Sequence, residues 1–266
     1  MSENTSQHIS DVSLLITHFN RSESLHRLLS TFQKFDVSFD EIIVSDGGSN
    51  AEHLKSVKAL QEQFGFTLLT TTVNLGLGNS INVGQDAVKT TYILYIQEDF
   101  VPKPAFVNAL KDGLSIINTE SEWDIIRFYA FPWSPFPYLK DYKKGFSEMK
   151  FSLLPWYISH IKFFVYSDHP HLKRKTYPKK FGRYFESRNG DVTEMSMCRT
   201  FLKKKGRGLY FVDNKSLFEH DNPEDEPGLF RPEKLKTQKL AEIAPLHWLY
   251  LKFKMLKETV SFVLSK

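Results

Sequence analysis

Hydrophobic positions in the first half of the chain alternate between two spacings. Short apolar runs, suited to buried strands, alternate with stretches whose apolar residues recur every three or four positions, as on one face of a helix. The runs predict five strands, at residues 12–17, 41–45, 66–71, 92–96 and 124–128. The helical spacing predicts four helices, at residues 25–32, 54–64, 81–88 and 104–114. This alternation over short connections predicts an α/β fold, in which a mostly parallel sheet is covered by helices.

The pattern changes after residue 130. Residues 131–138 are rich in proline and aromatic side chains, which predicts a loop that either lies over a site or is a packed crossover. Apolar residues regain helical spacing between Met195 and Leu202, and Gly206 is predicted to end that helix. We therefore divide the chain into segments 1–130, 131–222 and 223–266.

The last segment carries a distinct amphipathic pattern. Residues 247–257 interleave aromatic and aliphatic side chains with lysines, and residues 260–264 are mostly apolar. Aromatic residues beside lysines are typical of helices that lie on anionic membranes. The same pattern suits a C-terminal helix that packs on the core or on a partner.

Composition narrows the class of protein. The chain has 266 residues, of which 41% are hydrophobic and 25% charged, so it is globular. Its single cysteine, Cys198, excludes an intrachain disulfide and a Cys-rich zinc site. The polar N-terminal residues predict no secretory signal, so we expect a cytoplasmic protein. A net charge of +4 is too small to predict a nucleic-acid partner, although the basic stretches 173–183 and 203–207 suit either a solvated surface or a site for phosphates or anionic lipid.

Three polar segments follow predicted strands and should meet at one edge of the sheet, where ligands of such sheets bind. They are residues 45–49, residues 74–78 with Asn82 beyond them, and residues 97–99. In the first segment, Asp46 can accept a hydrogen bond from a base or a ribose, although an Asp-Gly pair is also a common turn. The carboxylates of the third segment could bind Mn²⁺ or Mg²⁺, with substrate phosphates as the remaining ligands of the ion. Alternatively, the segment is a solvated acidic turn.

The glycines of the second segment resemble the start of a dinucleotide-binding fingerprint. Ile81, however, stands where that fingerprint has its third glycine, and the segment follows the third predicted strand instead of the first. Both departures argue against a Rossmann dehydrogenase.

Together with residues 17–21 and 95–102, these segments resemble the family 2 glycosyltransferases of the GT-A fold. The resemblance covers residues 11–102 and implies a nucleotide-sugar site, Mn²⁺ or Mg²⁺ as cofactor, and inversion at the anomeric carbon of the sugar. The residues that it places at the nucleotide-sugar are Thr17, Arg21, Asp46, Asn74, Gly76, Asn82, Gln97 and Glu98. The family's Asp-any-Asp metal motif falls on residues 97–99, which implies Asp99 as a metal ligand.

Beyond residue 130 the resemblance is thinner. An acidic segment before a helix implies Glu194 as the first candidate for the catalytic base and Asp191 as the second, although either acid could merely favour a helix N-terminus. Met195 stands at the family's usual Asp. A late strand that ends in His220 implies a further ligand for the metal.

One departure leaves the activity open. Gln97 replaces the first Asp of the metal motif; it cannot supply negative charge, although it can still hydrogen-bond a ribose. A catalytically degenerate binding module is therefore an alternative. A sugar nucleotidyltransferase is another, although the basic, Gly-rich loop that such enzymes have after the first strand is missing from residues 17–22.

The resemblance implies an enzyme of cell-surface polysaccharide synthesis. It would move a sugar from a nucleotide-sugar to a glycan or lipid-linked acceptor. The donors of this family are usually linked to UDP. Segment 1–130 would hold the donor, segment 131–222 the acceptor and the base, and segment 223–266 would form a basic amphipathic tail. We expect no nucleic-acid partner, and peripheral contact with an anionic membrane at its cytoplasmic face.

Overall fold

The computed structural model describes residues 7–130, 138–154, 160–221, 223 and 244–265. Within these residues the chain forms a nine-stranded sheet, a separate two-stranded sheet and seven α-helices. The strands are β1 (Gln7–His18), β2 (Val37–Asp46), β3 (Thr67–Thr70), β4 (Tyr92–Gln97), β5 (Phe100–Pro102), β6 (Ile125–Arg127), β7 (Leu139–Asp141), β8 (Phe146–Met149), β9 (His171–Arg174), β10 (Gly208–Phe211) and β11 (Phe218–His220). The helices are α1 (Ser22–Lys34), α2 (Ala51–Phe64), α3 (Leu77–Ala87), α4 (Ala105–Thr119), α5 (Tyr177–Phe181), α6 (Gly190–Lys203) and α7 (Ala244–Leu264).

The predicted α/β fold is confirmed. The large sheet has the order β3-β2-β1-β4-β9-β6-β10-β8-β7. Its first four strands are parallel, and all five predicted strands are present in it. The remaining strands make the sheet mixed, because β9 runs antiparallel to both β4 and β6.

Strand β1 has helices on both faces, which explains its unbroken apolar run. Leu14 and Ile16 pack into the cluster formed with α1 and α4, whereas Leu15 points to the opposite cluster, formed with α3 and α6. All three side chains are fully buried. Alternate residues of a strand point to opposite faces, so a strand covered on both sides needs apolar residues at every position.

Residues on either side of position 130 belong to one sheet. Strand β9 lies between β4 and β6, and β10 pairs in parallel with β6. Strands β7, β8 and β9 carry no pattern that we could predict. The loop predicted at residues 131–138 lies outside the described residues up to position 137, as does most of the segment between positions 222 and 243.

The C-terminal helix α7 packs on the core through one face. Met255 is fully buried, and Glu258 forms an ion pair of 2.7 Å with Arg199 of α6. Phe262 contacts the rings of Phe151 and Phe163. Of the three locations that the sequence left open for the tail, packing on the core is therefore observed. Among the described helices, none combines the length and the apolar character needed to cross a membrane.

Candidate active site

The candidate residues gather at one edge of the sheet because neighbouring strands end in register. Thr17 pairs with Ser45 on one side and with Gln97 on the other, and His18 pairs with Asp46. The side chains after β1, β2 and β4 therefore share the carboxyl edge of the parallel strands. This is the edge at which the sequence predicted a site.

Asp46 is buried and accepts hydrogen bonds from several donors around it. His18 Nδ1 lies 2.8 Å from Oδ1, and Oδ2 accepts from the amide of Gly48 at 3.1 Å and from Thr70 Oγ1 at 2.8 Å. Ser49 donates through both its amide and its hydroxyl. The Arg21 amide donates to His18 Nε2 at 3.2 Å, which leaves Nδ1 as the nitrogen that donates to Asp46.

Burial alone would raise the pKa of Asp46, but these hydrogen bonds outweigh it and hold the pKa below its ordinary value. The carboxylate therefore organises the turn after β2. Its predicted contact with a base requires that the base replace one of these donors, and it stays a prediction. The sequence reading missed His18, whose position beside Asp46 follows only from the strand register.

Thr17 and Gln97 meet at one tyrosine. Thr17 Oγ1 lies 2.9 Å from the Tyr95 hydroxyl, which also forms a hydrogen bond with the side chain of Gln97. The residue in the first position of the metal motif is thus tied to a buried tyrosine at the end of β4. Its predicted contact with a ribose is not tested by this geometry.

A charged cluster joins Arg21 and Asp99, which are buried, to His220, which is half-buried. Arg21 Nη1 donates to Asp99 Oδ2 at 2.7 Å, and His220 Nε2 lies 3.1 Å from the same oxygen. The small sheet builds this contact, because β11 pairs with β5 and sets His220 opposite Phe100. Burial would raise the pKa of Asp99, but His220 and Arg21 reverse that effect and lower it. Asp99 is therefore a carboxylate.

Glu98 beside this cluster behaves differently. Burial and the charge of Asp99 raise its pKa to about 8, although Arg21 Nη1 lies 3.9 Å from Oε1 and opposes the shift. The pKa of Glu98 is thus raised while that of its neighbour Asp99 is lowered, as happens where two like charges share one site.

The same cluster fits a divalent cation only if the substrate supplies most of the ligands. Asp99 Oδ1 is buried and accepts no hydrogen bond from any residue that the structure describes. In the described ranges, no group of three or more His, Cys, Asp or Glu side chains is arranged to hold a metal. Asp99 and His220 are nevertheless an oxygen and a nitrogen donor at one spot, and Mn²⁺ and Mg²⁺ accept few protein ligands when phosphates complete the shell.

The segment before α6 is held in place by α3 and by the turn that precedes it, which contain the predicted site residues Asn74, Gly76 and Asn82. Asn74 Oδ1 accepts the amide of Gly76 at 2.7 Å in a turn before α3. Asn82, which is buried, accepts the amide of Tyr184 at 2.9 Å and donates to the Tyr184 carbonyl and to Glu186, both at 2.9 Å. A role for these three residues at the nucleotide-sugar stays a prediction.

Glu194 is one member of a carboxyl pair. It projects from α6, whose N-cap Asn189 accepts the amide of Asp191 at 3.0 Å. Glu194 is hydrogen-bonded to Ser167 and Asp168, and the charge of Arg127 acts on it. Burial raises the pKa of both Asp168 and Glu194, and Asp168 is raised further by Glu194. Their shared hydrogen bond raises the pKa of Asp168 and lowers that of Glu194, so Asp168 is the donor and the Glu194 carboxylate is the acceptor.

Asp168 was missed by the sequence reading, since it follows no predicted strand. Its neighbour His169 links it to the charged cluster: the rings of His169 and His220 lie 5.6 Å and 4.8 Å from that of Phe100. Asp191, the second candidate base, is exposed in the first turn of α6, and its charge raises the pKa of Asp168 and Glu194.

Comparison with known proteins identifies one protein family and several solved structures of similar fold. The family model described as Glycosyl transferase family 2 matches residues 13–176. A crystal structure of S. aureus TarS residues 1–349 in complex with UDP-GlcNAc matches with a TM-score of 0.57 and 16% identity, covering 94% of this chain and 73% of that one. The complex of the same fragment with UDP matches with a TM-score of 0.52 and 17% identity, covering 80% and 61%.

A structure of TarS without that truncation matches with a TM-score of 0.53 and 18% identity, and covers 80% of this chain. This chain spans only 37% of the length of that TarS chain. At such identities the likeness shows the fold alone. Comparison with curated protein sequences found no match.

Proposed function

The chain belongs to glycosyl transferase family 2, and from this premise we propose that it transfers a sugar, with inversion, from a UDP-linked donor to a glycan or lipid-linked acceptor. The proposed process is the synthesis of a cell-surface polysaccharide, and the proposed location is the cytoplasmic face of the membrane. The observation that carries the proposal is the cluster of Arg21, Asp99 and His220 at the carboxyl edge of the parallel strands. A donor diphosphate bound at this edge would meet a buried guanidinium and an imidazole.

We include a divalent cation in the proposal. Asp99 and His220 would hold Mn²⁺ or Mg²⁺, and the ion would supply positive charge to the departing diphosphate. Arg21 provides fixed positive charge at the same place, and it keeps Asp99 ionised. The protein's own part in leaving-group departure is thus electrostatic: side chains that are already in position stabilise charge as it develops.

Glu194 is the proposed base. As a carboxylate it would accept the proton of the acceptor hydroxyl while that oxygen attacks the anomeric carbon. Asp168 and Ser167 donate to Glu194, so the carboxylate is oriented before the acceptor arrives. Burial raises its pKa above the ordinary value, and this makes it a stronger base than an exposed glutamate.

The donor sugar is a proposal by analogy. TarS was solved with UDP-GlcNAc, and a UDP-linked N-acetylhexosamine is therefore the first donor to test on this chain. A UDP-linked hexose is the second. A degenerate binding module stays a second candidate function because Gln97 is hydrogen-bonded to Tyr95 and brings no charge to the site.

The test measures release of UDP from a panel of UDP-sugars with Mn²⁺ and glycan or lipid-linked acceptors. We expect turnover with at least one donor, and a fall in kcat of roughly 10²–10⁴-fold in Glu194→Gln with donor binding retained. Asp191→Asn is the matched control and should keep most of the activity. Loss of kcat in Asp191→Asn alone would move the base to Asp191, and binding of UDP-sugars without turnover would favour the degenerate module.

A further inference from the structure

Helix α7 has a second apolar face, opposite the one that packs on the core. Leu249, Phe253, Leu256, Val260, Val263 and Leu264 follow one another at spacings of three and four residues, apart from the adjacent last pair, and form what we call the outer stripe. A helix places residues at these spacings on one side. The docked residues Met255, Glu258 and Phe262 occupy the other side.

The outer stripe is open to solvent along its whole length. Phe253 is 69% exposed and Leu264 75%, and the least exposed members, Leu256 and Val260, are still 47% exposed. Trp248 and Tyr250 are exposed near the start of the helix. Contiguous apolar patches of this kind are rare on monomeric proteins unless something binds to them.

The charged side chains beside the outer stripe are lysines. Lys252, Lys254 and Lys257 lie among the apolar residues, and the helix carries a single acid, Glu258. That acid is buried in its ion pair with Arg199, so no carboxylate of α7 faces outward beside the stripe. The surface is thus apolar with a basic border.

A second copy of the chain is a poor match for this surface. If two outer stripes paired in parallel as a coiled coil, with Phe253 and Val260 at the first core position, Lys252 of one helix would stand beside Lys257 of the other. Like charges at these flanking positions oppose association.

We infer that the outer stripe binds the surface of an anionic lipid bilayer. The apolar side chains would enter the acyl boundary, the lysines would meet lipid phosphates, and Trp248 and Tyr250 would lie at the headgroup level. The helix would lie in the plane of the interface, with its docked face holding the catalytic domain against the membrane. The inference deepens the proposed location at the membrane by naming the surface that binds lipid. It does not depend on the proposed catalysis, because lipid binding needs no donor or acceptor.

The test is flotation of the full chain with vesicles of equimolar phosphatidylcholine and phosphatidylglycerol at low ionic strength, against vesicles of phosphatidylcholine alone. We expect binding to the anionic vesicles only, weakened by salt. The double variant Phe253→Ser/Val260→Ser should lose binding while its thermal unfolding stays unchanged, since both side chains are exposed. Val212→Ser is the matched control, because Val212 is 52% exposed, close to the 47% of Val260, on another part of the surface, and its loss should leave flotation intact.

Charge gives an independent arm of the test. Lys252→Gln and Lys257→Gln should each weaken vesicle binding by about five-fold. Absence of vesicle binding by the unmodified chain, or full binding by the double serine variant, would overturn the inference. So would a dimer in sedimentation analysis that the double serine variant converts to a monomer, because the stripe would then be covered by a second copy.

Discussion

At the scale of single residues, the candidate site consists of carboxyl groups whose surroundings push their pKa values in opposite directions. Asp46 and Asp99 are held ionised by the donors around them. Glu98 is buried, whereas Asp168 and Glu194 are half-buried, and desolvation raises the pKa of all three. Such a separation assigns different tasks to residues of one chemical type.

The pair of Asp168 and Glu194 gives a prediction about pH. A carboxylate base works only when it is ionised, so the rate should fall as the pH drops through the pKa of Glu194. The hydrogen bond from Asp168 lowers that pKa, against the effect of burial. Asp168→Ala removes the donor, and the acidic limb of the kcat profile should move to higher pH.

Asp168→Asn is the matched control, because an amide keeps the shape of a protonated carboxyl and still donates. Its acidic limb should stay close to that of the unmodified enzyme. If the alanine and asparagine variants shifted the limb equally, donation from Asp168 would not be what tunes Glu194.

At the scale of elements, the first five strands and the helices between them could be predicted because they are covered on both faces or carry one apolar face. The site residues at the carboxyl edge followed from the ends of those strands. Strand β9 could not be predicted, since its buried positions include Lys173, which sits among tyrosine rings and donates to the Tyr184 hydroxyl at 2.7 Å. Asp168 and His18 were missed because their partners are distant in sequence.

The segment before α6 depends on α3, and this gives a prediction about stability. Asn82→Ala would leave the buried amide of Tyr184 without its acceptor. Unfolding in denaturant should show a loss of about 1–3 kcal/mol. The variant should also lose activity, because the segment leads into the helix that carries Glu194.

Asn79→Ala is the control on the same helix. Asn79 makes a partly exposed hydrogen bond of 3.0 Å with Glu186, so its removal should cost less than about 1 kcal/mol. Equal losses of unfolding free energy in the two variants would contradict the conclusion that Asn82 is the main residue of α3 that fixes the segment before α6. Gly76 serves the same contact, since a Cβ there would lie 2.0 Å from the carbonyl of Ser187.

At the scale of the whole molecule, one sheet joins the strands before and after residue 130, and α7 packs against the helix that bears the proposed base. Residues on both sides of position 130 contribute to one core. The assignment of donor binding to one half of this single domain and of acceptor binding to the other stays a prediction. The site is assembled from both: Asp99 precedes residue 130, whereas His220 and Glu194 follow it.

The docking of α7 gives a prediction that compares two neighbouring residues. Met255→Ala empties a fully buried position, and the free energy of unfolding should fall by about 2–5 kcal/mol. Leu256→Ala, at a position that is 47% exposed, should change it by less than about 0.5 kcal/mol. Thermal or denaturant unfolding measures both, and a larger loss in Leu256→Ala would mean that the helix packs by its other face.

The central claim is that the cluster of Asp99, His220 and Arg21 receives the diphosphate of a nucleotide-sugar together with a divalent cation. The most direct measurement is thermal unfolding with UDP and with UDP-sugars, in the presence of Mn²⁺ and in the presence of a chelator. A ligand at ~100 times its Kd adds ~2.7 kcal/mol, which corresponds to roughly 5–10 °C for a chain of this size. We predict a Mn²⁺-dependent rise that is lost in Asp99→Ala and kept in Asp86→Ala, an exposed carboxylate outside the site. No rise with any nucleotide, or an equal rise in Asp99→Ala, would contradict the claim.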